Sequence, residues 1–93
     1  MVKVIVRFIS IVRQFAGTGR VDFDSSGQRL RDVLNEVVHR YPIADAILAE
    51  SGEVRPYARV LVNGRSHELL GGLDMKLSDG DQIALIYPYT EQF

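Results

Sequence analysis

The chain contains no cysteine and no tryptophan in 93 residues. Without cysteine it can form no disulfide framework, no thiolate nucleophile and no cysteine-based metal site. Histidine is scarce: His39 and His67 stand alone, with no ligand at metal-site spacing, so no metal is expected. No apolar run approaches the roughly 18–20 residues that cross a bilayer as a helix. The opening V-K-V-I-V-R-F is strand-like and is not a basic region followed by an apolar block. Together these absences point to a cytoplasmic protein without a membrane anchor. An excess of one charge is missing too. Eleven Lys/Arg against 12 Asp/Glu, interspersed, give a formal net charge of −1, which offers nothing to nucleic acid or an anionic membrane.

What remains is 46% hydrophobic residues, enough for one small core. A single domain is expected over residues 1–93, with a short tail from about residue 88. Val2, Val4, Val6 and Phe8 alternate with Lys3, Ile5, Arg7 and Ile9, which predicts a strand with one strongly buried face. Ile11, Val12, Phe15 and Ala16 suit a turn or so of helix closing at Gly17. Arg20–Asp24 alternates again and is expected to pair antiparallel with the first strand.

One long helix follows. Leu30, Val33, Leu34, Val37, Val38 and Tyr41 make an apolar stripe at helical spacing, Ser26 is the expected N-cap, and Pro42 stops the helix near His39–Tyr41. Ala44–Leu48 suits one further short turn. Arg59–Val62 reads as a strand, Asn63-Gly64 as a hairpin turn, and Ser66–Glu68 as a brief edge strand carrying His67. Leu69–Leu77 is too rich in glycine for a regular element, although Leu73 and Leu77 are expected to pin it to the core. Ser78-Asp79-Gly80-Asp81 is a polar turn leading to a final buried strand, Gln82–Tyr87. The order predicts an α+β domain, a mixed sheet of four or five strands packed on one main helix, as in the β-grasp.

Candidate chemistry within the chain is thin. Asp79 and Asp81 lack the further oxygen ligands of a calcium loop and are read as turn caps. No nucleophile elbow, phosphate-cradling loop or Ser/His/Asp order occurs, so neither catalysis nor a cofactor is expected. Strand parity offers more. With Val4, Val6, Phe8, Val60 and Val62 inward, Ile5, Arg7, Ile9, Arg59, Leu61, Ala84 and Ile86 point away from the helix. An apolar patch rimmed by arginine has the composition of a docking face.

Several stretches in order resemble the ubiquitin-like sulfur-carrier family, which includes the small subunit of molybdopterin synthase and the thiamine sulfur carrier. They are V-K-V-x-V-R-F at 2–8, V-R-Q-F-A-G at 12–17, L-R-D-V-L at 30–34, R-P-Y-A-R-V-L-V-N-G-R at 55–65 and L-G-G-L-D-M-K-L-S-D-G-D-Q-I-A-L-I-Y-P at 70–88. The longer segment 43–57 is nearer the molybdopterin-synthase branch. The resemblance implies a β-grasp fold, partner proteins met through the outer sheet face, and a terminal Gly-Gly that is adenylated and converted to a thiocarboxylate. Here Pro88 is followed by Tyr89-Thr90-Glu91-Gln92-Phe93, without glycine.

Two functions are therefore expected. The first is a non-catalytic binding module that docks through the outer face together with Tyr87, Pro88, Tyr89 and Phe93. Its partner would resemble a molybdopterin-synthase large subunit or an adenylating enzyme, or be a second copy of the chain. The alternative is a working sulfur carrier in molybdopterin biosynthesis with an atypical or processed C-terminus.

Overall fold

The structure, a computed structural model, describes residues 1–87, and Pro88, Tyr89 and Phe93 lie outside the described residues. In chain order the elements are β1 (Val2–Ser10), α1 (Ile11–Ala16), β2 (Arg20–Ser25), α2 (Leu30–Arg40), α3 (Ala44–Ile47), β3 (Arg59–Val62), β4 (Arg65–Ser66) and β5 (Gln82–Tyr87). The strands form one sheet in the order β2-β1-β5-β3-β4. β1 and β5 run parallel, whereas the β1–β2, β3–β5 and β3–β4 pairs are antiparallel. The last strand is thus the middle of the sheet. Cutting at Gly71-Gly72 would remove it, so that diglycine cannot be exposed without dismantling the fold.

α2 covers one face. Val4, Val6, Phe8, Phe23, Val60, Val62, Ile83 and Leu85 from the strands meet Leu30, Val33, Leu34 and Val37 from the helix, all buried. Each such side chain contributes about 1.5–3 kcal/mol of transfer free energy before chain entropy is subtracted. Leu73 and Leu77 join this core as expected, and Phe8 and Tyr41 stack at a tilt of 54° with ring centroids 5.1 Å apart. One mixed sheet over one principal helix is the β-grasp architecture.

Three local expectations change. Ser26 does not cap α2; the N-cap is Arg29, whose N–H donates to the Asp32 carboxylate at 3.1 Å. The Leu30 N–H, at the first helical position, is satisfied by the Met75 carbonyl at 3.0 Å, because the chain before β5 lies against the helix start. Second, the strand after Asn63-Gly64 covers only Arg65–Ser66, and a 3-10 turn takes over at His67–Leu70. That turn swings His67 beneath β3, where it is 8% exposed and its Nδ1 donates to the Val60 carbonyl at 3.2 Å, so His67 is not on an edge. Third, the glycine-rich stretch is more regular than expected, with a second 3-10 turn at Gly72–Asp74. Gly71 has φ +111° and Gly72 φ +76°, values that glycine adopts without strain.

Candidate functional site

The face of the sheet opposite α2 is built by register alone. Arg7, Ala84 and Leu61 lie in one row across β1, β5 and β3; Ile9, Ile86 and Arg59 form the next row. Ile5 stands opposite Gln82 on β5 and Asp22 on β2. Neighbouring strands are about 4.8 Å apart, so each row is a continuous strip of side chains. Ile9 is 38% exposed, Ile5, Leu61, Ala84 and Ile86 are half-buried by their neighbours, and Arg7 and Arg59 are exposed; Tyr87, two residues beyond the buried Leu85, packs instead against the core side. All seven sheet residues predicted from parity therefore share one surface, an apolar centre with guanidinium groups beside it.

The end of this face is fixed by the Ser78–Asp81 turn. Asp79 accepts from the Lys3 N–H at 2.9 Å, and Asp81 accepts from the Ser78 N–H at 2.8 Å. Backbone bonds from Gly80 N–H to the Lys3 carbonyl (2.8 Å) and from Ile5 N–H to the Asp81 carbonyl (2.9 Å) tie the turn to β1. Both carboxylates thus act as turn caps, and the turn sets the register in which β5 enters between β1 and β3. Its φ of +90° at Gly80 explains the Asp-Gly-Asp sequence.

On the helix side, Glu36 gathers the loop that was expected to cap α2. The Ser26 hydroxyl donates to its Oε2 at 2.6 Å, the Ser26 N–H reaches both oxygens at 3.2 Å, and the Ser25 hydroxyl adds a bond of 3.2 Å. The Ser26 hydroxyl bond is the main cause holding the Glu36 carboxyl below the usual carboxylate range; burial opposes it in part. His39 sits on the polar side of α2, its Nδ1 donating to the Asn35 carbonyl at 2.6 Å. Among the described residues no group of three or more His, Asp or Glu is placed to hold a metal ion. No helix among them is long and apolar enough to cross a membrane.

Parity did not reveal everything at the surface. Leu69 is 81%, Tyr57 65% and Phe15 48% exposed. A cavity beside His67 and Arg55 also had no sequence signal, because it is formed where the loop before β3 meets the turn after β4.

The described residues define a class, a small β-grasp protein with an apolar, arginine-flanked outer sheet face. The model of the ThiS family matches residues 6–90, and the chain belongs to that family. It is 34% identical to small archaeal modifier protein 3 of Haloferax volcanii over 87 residues, covering 89% of this chain and 91% of that protein. Among solved structures, small archaeal modifier protein 1 from Methanosarcina acetivorans is 27% identical with a TM-score of 0.82, covering 99% of this chain and 98% of the other. The putative molybdopterin converting factor, subunit 1, from Pyrococcus furiosus is also 27% identical, with a TM-score of 0.74 and coverage of 96% and 100%. The chain is a small ubiquitin-like protein related to the sulfur carriers, as the sequence resemblance implied.

Proposed function

We propose that the protein is a non-catalytic, cytoplasmic binding module that docks on a protein partner through its outer sheet face, extended by residues Tyr87, Pro88, Tyr89 and Phe93. The observation that carries this reading is the pair of rows Arg7–Ala84–Leu61 and Ile9–Ile86–Arg59. Apolar side chains there can be desolvated by a partner while the arginines at the rim select for carboxylates. Nothing about the core requires isoleucine at positions 5, 9 or 86, since these side chains face away from it. The partner is a protein like the large subunit of molybdopterin synthase or an adenylating enzyme, or a second copy of this chain.

A second reading, a working sulfur carrier for molybdopterin, is favoured by the likeness to the Pyrococcus furiosus protein. The two readings separate by intact mass after incubation with an adenylating enzyme of a ThiS-family system, ATP and a sulfur donor. An unchanged mass supports the binding module. A gain equal to sulfur replacing oxygen establishes the carrier.

A further inference from the structure

A polar cavity of about 80 Å³ lies at the end of the sheet, between the loop before β3 and the turn after β4. Its walls include Val54, Arg55, Arg59, Ser66, His67 and Glu68. That volume is well above the roughly 10–15 Å³ needed to admit one water. Arg55 Nε is enclosed and has no hydrogen-bond partner among the described residues. An enclosed N–H donor without an acceptor is unfavourable, so the arrangement is most stable when an acceptor enters. The ion pairs among the described residues, Arg20–Asp22 and Arg31–Asp74, use neither Arg55 nor Arg59.

His67 adds direction. Its Nδ1–H is held by the Val60 carbonyl at 3.2 Å, which leaves Nε2 as the ring's second polar atom. Nε2 accepts from a protonated oxyanion when the ring is neutral and donates to the ion when the ring is charged. The Ser66 hydroxyl can donate as well. Two guanidinium groups against the single carboxylate of Glu68 leave the wall net positive even with His67 neutral. From these features we infer that the cavity is a binding site for a phosphate-sized oxyanion, held by Arg55 and Arg59 with Ser66 and His67 completing the polar lining. Arg59 also belongs to the row Ile9–Ile86–Arg59, so an ion bound here lies at the margin of the outer sheet face.

The probe is inorganic phosphate, added at constant ionic strength to the ¹⁵N-labelled full chain and followed by NMR, with sodium chloride and sodium acetate as parallel arms. Saturable shifts of the Arg55 Nε–H and His67 ring signals are expected with phosphate, with weaker binding of acetate and no saturation by chloride. Arg55→Lys keeps the charge but removes Nε–H, and should weaken phosphate binding by about tenfold or more. Arg59→Gln, at an exposed position, gives a second weakened variant should Arg55→Lys fail to fold. The inference is overturned if phosphate produces only the shifts chloride produces, if acetate binds as tightly as phosphate, or if folded variants bind like the parent chain.

Discussion

Asn63 and Asp81, 18 residues apart, are joined side chain to side chain across the end of the sheet, with Asn63 Nδ2 donating to Asp81 Oδ1 at 3.0 Å. Asn63 Oδ1 also accepts from the Gln82 N–H at 2.9 Å, so one amide locks the β3–β4 turn to the turn that starts β5. The same residue has φ +53°, a conformation asparagine tolerates and glycine prefers. Asn63→Gly therefore isolates the side-chain bonds from the backbone conformation. It should lower the unfolding free energy by about 1–2 kcal/mol in denaturant melts, and Asn63→Ala by more, because alanine also strains the turn.

Glu36 makes stability depend on acid. Its carboxyl lies below the usual range when folded, chiefly through the Ser26 hydroxyl bond, and returns to that range when the chain unfolds. A depressed folded pKa contributes stability that is fully present above the unfolded value and is lost as pH falls through the folded one. The parent chain should thus melt above Glu36→Gln at neutral pH. The gap should close as pH falls from the ordinary carboxylate range through the lowered folded value. A gap that stays constant down to the acid limit would show that the loop bonds do not depend on the carboxylate charge.

Gly27 has a tighter constraint than any positive-φ turn supplies. A Cβ built there would come within 2.4 Å of Asp32, the residue that caps α2 through Arg29. Gly27→Ala must push Asp32 aside and break that cap, an expected loss of about 1–3 kcal/mol in thermal or denaturant unfolding. Asp32→Ala should leave much of the added penalty in the double variant, because alanine keeps the Cβ that crowds residue 27, whereas Asp32→Gly removes the crowding atoms and should relieve it.

Much of the fold was legible because it rests on periodicity. The alternation of Val2–Phe8, the stripe Leu30–Tyr41 and the Asn63-Gly64 and Asp79-Gly80 turns are local signals, and the strand parity they imply also put Ile5, Ile9, Leu61 and Ile86 on one surface. What was not legible depends on segments distant in sequence. Ser26 has the chemistry of an N-cap, but Glu36, one helix face away, takes its hydroxyl, and Met75 takes the first helix amide. His67 looked like an edge residue because the 3-10 turn that buries it has no period of its own. Arg55 gave no sign of enclosure, since its cavity exists only once the loop before β3 and the turn after β4 meet.

Docking through the sheet is tested most directly by methyl cross-saturation. The chain, labelled at isoleucine, leucine and valine methyls and otherwise deuterated, is measured in complex with the unlabelled protein that co-purifies with it, or with an unlabelled copy of itself. Saturation is expected at Ile5, Ile9, Leu61 and Ile86, and Ile86→Asp should abolish both the transfer and the complex while leaving the fold intact. Saturation confined to Val38 on the helix or Leu69 on the 3-10 turn, with Ile5, Ile9, Leu61 and Ile86 unaffected, would contradict docking through this face.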